Sequence, residues 1–187
     1  MTPTESPEPL RLTATVDVDY SQFYLVNWGS FFDPTFADEN SLGICDAAPP
    51  GAAKFTTFRR YGQTPVAVEV HRSEPTALGG QWHDVVEVPF TASGRVVLSG
   101  WDPGSSPTDV PVSGDLRIRY AISDGDLATH DAELPSLEGY LIQFWPAPRR
   151  PAAVIVQESV IGHHWRHSKD AQPAAAESAD ESAGLQP

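Results

Sequence analysis

Hydrophobic and polar side chains alternate with a period of two along most of this chain. From Arg11 to Val18, the residues Leu12, Ala14, Val16 and Val18 fall on one face and Arg11, Thr13, Thr15 and Asp17 on the other, the mark of a strand buried on one side. Tyr20 to Trp28 continues in the same manner, with Phe23 and Leu25 opposite Gln22, Tyr24 and Val26, and is rich in the aromatic and β-branched residues that suit strands. Further alternating runs cover Pro65 to His71 (Val66, Val68 and Val70 inward), His83 to Phe90, Arg95 to Trp101, and Asp115 to Ile122. In the last of these Leu116, Ile118, Tyr120 and Ile122 face inward, and Asp115, Arg117, Arg119 and Ala121 face outward. Lys54 to Phe58, Leu137 to Trp145 and Ala153 to Gln157 complete the set.

Turn chemistry separates these runs. Residues 29–51 carry Asp33-Pro34, Ala37-Asp38-Glu39-Asn40 and Pro49-Pro50-Gly51, and are expected as a long loop of open role. The Ser93-Gly94 pair suggests that residues 83–101 form a hairpin. Residues 102–111 and 123–134 read as loops. Short, regularly spaced strands without a sustained helical period predict an all-β, antiparallel two-sheet sandwich of jelly-roll-like form, with a closed barrel as the alternative. The domain is expected over 10–167. A proline-bearing leader over 1–9 and an acidic Ala, Glu, Ser and Gln tail over 168–187 lack the large apolar residues needed to offset ordering entropy, so both are expected to be disordered.

Composition narrows the class. The 187 residues include 18 prolines and 14 glycines, consistent with frequent turns. A single cysteine, Cys45, excludes an internal disulfide, and the absence of a signal-like start or a long apolar run points to a cytoplasmic protein without a membrane segment. Net charge is −13; four acids and one lysine in 168–187 and two acids before Leu10 leave −8 on residues 10–167. Such a field disfavours direct nucleic-acid binding and attracts basic proteins.

Candidate chemistry is sparse. His163, His164 and His167 are close enough in sequence to suggest, as a second reading, a small metal-binding module or metal-dependent enzyme, since the spacing of His163 and His167 would place them on one helix face. Cys45 has no histidine near it in sequence, and Ser99-Gly100-Trp101-Asp102 lacks the flanking glycine of a nucleophile elbow. Asp124-Gly125-Asp126 and Asp102-Pro103-Gly104 are turn residues before they are calcium ligands. No glycine-rich phosphate loop occurs, and no cofactor is expected. Tryptophans 28, 82, 101, 145 and 165 leave a carbohydrate-binding module as a third reading, with most of them expected in the core or over it.

Several segments resemble the competence protein J family: Asp19-Tyr20-Ser21-Gln22-Phe23, Val88-Pro89-Phe90 ahead of Ser93-Gly94, and Gly114-Asp115-Leu116-Arg117-Ile118-Arg119-Tyr120. The run Tyr140 to Pro148, with Trp165 beyond it, is similar to a group of actinobacterial proteins of unassigned function. The family resemblance implies a non-catalytic inhibitor or immunity protein that occludes a basic nuclease or toxin. By loop position and sign, the implied contacts are Asp33, Asp38, Glu39, Asp124 and Asp126.

Overall fold

A computed structural model describes residues 8–29, 42–48, 51–76, 78, 81–100, 107–128 and 134–167. Eleven strands form within them: β1 (Leu10–Val18), β2 (Gln22–Asn27), β3 (Cys45–Ala48), β4 (Ala52–Thr56), β5 (Gly62–Val70), β6 (Asp84–Ala92), β7 (Val96–Ser99), β8 (Thr108–Val110), β9 (Gly114–Ser123), β10 (Gly139–Pro146) and β11 (Ala153–Gln157). A single α-helix, α1 (Val160–His167), follows β11. The strands make a six-stranded sheet in the order β1-β5-β10-β9-β6-β11 and a five-stranded sheet in the order β3-β4-β2-β7-β8. The all-β, two-sheet architecture read from the alternation is the one observed. Every pairing is antiparallel except β5 with β10, where Ala67 lies opposite Leu141.

The predicted inward faces meet between the sheets. Phe23 and Leu25, Phe55 and Leu98 project from the five-stranded sheet against Val66, Val68, Val86, Val88, Ile118, Tyr120, Ile142 and Phe144. Phe23 and Phe55 stack at 5.0 Å between ring centroids, and Tyr120 tilts against Phe55 at 5.0 Å. Rings in these orientations contribute quadrupole attraction beyond their buried area. At one end of the core a wholly buried ion pair joins Arg59 Nε to Glu138 Oε1 at 3.3 Å. Further bonds support both members: Leu134 O accepts from Arg59, and Glu138 accepts from Ser136, the Leu137 N–H and the Tyr140 hydroxyl.

Two prolines lie inside strands without breaking them, because each falls where its strand has one neighbour. Pro65 of β5 pairs with Thr15 of β1 before the β10 ladder begins at Ala67, and Pro89 of β6 pairs with Arg117 beyond the last β11 partner, Glu87. A missing N–H costs nothing on an open side.

The structure corrects three of the expected turns and loops. Residues 83–101 are not a hairpin, since β6 and β7 belong to different sheets. Asn27 of β2 is the reason: its side chain donates to Ser93 Oγ at 2.9 Å and accepts from the Ser93 N–H at 3.1 Å, so the chain turning at Gly94 (φ 74°) is drawn onto β2. The 29–51 stretch contains β3, paired with β4, while residues 30–41 and 49–50 lie outside the described residues. Likewise β8 lies within the predicted 102–111 loop, and 160–167 is helical.

The outward face of β9 departs from its polar pattern as well, because Arg117 and Arg119 are buried. Arg11, Glu69, Gln143, Arg119 and Glu87 stand directly opposite one another on successive strands. Arg11 Nε donates to Glu69 at 3.0 Å, Gln143 Nε2 to Glu69 at 2.8 Å, and Arg119 Nε to Glu87 at 2.9 Å. Arg117 adds a bond to Glu87 at 3.1 Å and two to the carbonyls of Arg150 and Pro151. Burial alone would raise the Glu69 carboxyl, but hydrogen bonds from Gln143, His71 and Arg11 outweigh it and hold the group below its ordinary value. The loop at Arg150–Pro151 lies over this row, which explains how charged side chains on a strand's second face come to be buried.

Candidate functional site

Beyond β11 the chain reads Glu158-Ser159-Val160-Ile161-Gly162, and Ser159 is the residue type that starts a helix. Its hydroxyl accepts the Gly162 N–H at 2.8 Å. The two amides ahead of Gly162, on Val160 and Ile161, donate at 3.3 Å each to the two carboxylate oxygens of Asp126. A distant acid thus caps α1 and complements its dipole. Asp126 belongs to a 3₁₀ turn, Gly125–Leu127. Gly125 lies against the Phe58 ring with no room for a Cβ, and Asp124 takes a left-handed conformation (φ 51°). The Asp124 N–H donates to His83 Nδ1 at 3.1 Å, which requires that nitrogen to be unprotonated, and the His83 carbonyl accepts the Glu158 N–H at 2.8 Å.

These contacts enclose an open cleft of about 350 Å³ lined by His83, Asp124, Gly125, Asp126, Leu127, Glu158 and Ser159. The lining carries three carboxylates and no lysine or arginine. At its side two large apolar residues face solvent, Leu127 at 59% and Val160 at 75% exposure. Beneath α1 lies Asp84, buried and packed against Gly162 and Ser159. Burial pushes its carboxyl above the ordinary value; the Ser159 hydroxyl and the Ser159 and Glu158 backbone offset part of that rise, and Asp126 adds to it. An acidic cleft beside exposed apolar side chains suits docking of a positively charged protein surface.

Of the acids named from the sequence, Asp124 and Asp126 come together here; Asp33, Asp38 and Glu39 lie outside the described residues. His163 and His167 do share a face of α1, their ring centroids 4.3 Å apart, whereas the His164 ring lies 6.3 Å from that of Trp165. Among the described residues no three His, Cys, Asp or Glu side chains gather as a metal site. Cys45 is buried in the core, and burial followed by the charge of Asp46 pushes its thiol well up. Trp145 is buried, Trp82 and Trp165 are partly buried against apolar clusters, and Trp28 is half exposed with the Arg95 guanidinium 4.6 Å above its ring. Trp101 lies outside the described residues.

Sequence reasoning missed Asp84, Glu158, Leu127 and Val160. The Asp-Gly-Asp turn and the serine ahead of Val160 were the available signals; their meeting across 34 residues was not.

No protein-family model and no curated protein matches the chain. Two solved structures are similar in fold. One is ComJ, inhibitor of the DNA degrading activity of NucA, from Bacillus subtilis, with a TM-score of 0.52 and 16% identity over 76% of this chain and 98% of that one. The other is crocagin biosynthetic gene J, with a TM-score of 0.52 and 17% identity over 76% of this chain and 100% of that one.

Proposed function

We propose that this chain is a non-catalytic protein that binds and inhibits a DNA-degrading nuclease, docking through the cleft formed by α1 and the Gly125–Leu127 turn. The observation that supports it is the fold shared with a nuclease inhibitor over nearly the whole of that inhibitor's length. The cleft has the chemistry the task requires. Asp124, Asp126 and Glu158 present negative charge to the basic side chains with which a nuclease grips phosphates, while Leu127 and Val160 supply apolar area that can be desolvated on contact. Inhibition then works by occupancy: the nuclease cleft filled by this acidic end is closed to DNA. The net charge of −13 accelerates the encounter without determining its geometry.

The test is a digestion assay with the full chain and the DNA-degrading nuclease of the same organism. Cleavage should fall in proportion to added chain and stop near equimolar, with the block relieved as salt rises. Undiminished digestion in the presence of a large excess of chain would refute the reading.

A further inference from the structure

Every strand of the six-stranded sheet begins or ends at one rim. Val18 of β1 lies opposite Gly62 of β5, Gly139 of β10 opposite Ser123 of β9, and Gln157 of β11 opposite Asp84 of β6, which in turn faces Ile122 of β9. β10 runs parallel to β5, so its start lies at the same end as Gly62. In strand order the rim therefore reads Tyr20, Tyr61, Leu137, Asp124 with its turn, His83 and Glu158. The acidic cleft is one half of this row. At about 4.8 Å per strand the row is roughly 24 Å long, a length that one interface of about 800 Å² per partner covers. Exposed apolar side chains concentrate on it: Tyr20, Leu127, Leu134, Leu137 and Val160 are five of the eight large ones facing solvent among the described residues, while Leu10 and Trp28 lie at the opposite ends of β1 and β2. Such clustering marks a contact surface that extends past the cleft.

At the β1 end the rim changes character. Tyr20 and Tyr61 meet edge to face with their ring centroids 5.7 Å apart, and the guanidinium of the exposed Arg60 lies 5.2 Å from the Tyr61 ring and 5.9 Å from that of Tyr20. Tyrosine and arginine are the side chains that carry much of the energy at protein interfaces. The backbone that presents Tyr20 opposes its side chain. Asp19 O accepts the Gln22 N–H at 3.2 Å, and both residues between them are left-handed, Tyr20 at φ 49° and Ser21 at φ 61°. A turn with two positive φ angles selects Gly, Asn or Asp, and a tyrosine there is strained. The Ser21 N–H donates to Arg60 O at 3.0 Å and its carbonyl accepts the Thr57 N–H at 2.8 Å, so the turn is held in place by backbone bonds that any residue at position 20 leaves intact. The Tyr20 side chain is 62% exposed and adds nothing to the core. Strain at a solvent-facing residue points to a role outside the fold.

We infer that the nuclease contact has two parts: Tyr20, Arg60 and Tyr61 form a second anchor on the rim, across Leu137 from the acidic cleft. The inference rests on the nuclease reading and deepens it by specifying the partner's surface. Cations of the nuclease face Asp124, Asp126 and Glu158, and on the order of 20 Å away along the same face an apolar patch bordered by a carboxylate receives Tyr20 and Arg60. The occupant is the nuclease because the anchor continues the row that holds the cleft, and because a cation at one end and acids at the other fix which way round a partner docks.

Equilibrium binding of the full chain to the DNA-degrading nuclease of the same organism tests it, with melting temperature and sedimentation velocity read in parallel on the wild type, Tyr20→Asn and Arg60→Glu. Asparagine suits a positive φ, so Tyr20→Asn should melt no lower than the wild type and yet bind at least about tenfold more weakly. Arg60→Glu reverses an exposed charge and should weaken binding by a similar factor without lowering the melting temperature. Variants that bind as tightly as a binding wild type would remove the second anchor and leave the cleft standing. A wild type that does not bind would remove the nuclease reading and this inference with it. A Tyr20→Asn chain that melts lower would make the tyrosine a support of the fold, and a wild-type dimer that Tyr20→Asn dissolves would assign the patch to a second copy; either result overturns the inference.

Discussion

Glu87 accepts hydrogen bonds from Arg117, Arg119 and Arg150 while only 4% exposed, so its charge is balanced locally and nowhere else. Removing one partner of a buried set is far more damaging than never having built it, because the remaining charges stay desolvated. Glu87→Ala should therefore cost about 3–5 kcal/mol in urea unfolding, whereas Asp109→Ala, whose bond to Arg95 is exposed, should cost well under about 1 kcal/mol. Glu69 gives the same network a pH signature. Its carboxyl lies below its ordinary value when folded, so it contributes stability that is complete above the unfolded value and is lost as pH falls through the folded one. Melting curves from neutral pH into the acid range should show Glu69→Gln losing less stability on acidification than the wild type. An identical loss in both would show that Glu69 does not carry the effect.

At the level of elements, α1 depends on residues far from it. Ser159→Ala removes the acceptor of the Gly162 N–H and should cost about 1 kcal/mol. Asp126→Ala frees the Val160 and Ile161 amides, and hydrogen exchange at those two positions should accelerate while exchange in the β9 core does not. The strands were largely legible in the sequence because alternation reports directly on which face is buried: Val66 and Val68, Ile118 and Tyr120 all point where the pattern put them. What it does not report is the partner of each strand. The Ser93-Gly94 turn looks like a hairpin until Asn27, 66 residues away, is seen holding Ser93. Nor does alternation distinguish a solvated face from a covered one: Arg117 and Arg119 fall on the polar side of the pattern, yet the Arg150 and Pro151 carbonyls take up Arg117 and the Trp145 ring lies against Arg119. The candidate cleft was half legible: sign and loop position single out Asp124 and Asp126, but Glu158 and Val160 lie just before and at the start of a helix too short for periodicity to reveal.

Seen whole, the molecule holds its charges in two settings. Arginines 11, 117, 119 and 150 are paired with glutamates on the outer face of the six-stranded sheet, while Asp124, Asp126 and Glu158 gather in the cleft at the α1 end. On the proposed reading, a basic partner is drawn toward this end, where Leu127 and Val160 are exposed. The decisive measurement is calorimetric titration of the chain into its nuclease, with the wild type and with Leu127→Asp/Val160→Asp. These two exposed positions can change without disturbing the core. The account predicts saturation at one chain per nuclease for the wild type and loss of binding, with DNA digestion restored, for the double variant. Equal affinity for both forms, or no heat of binding from either, would contradict it.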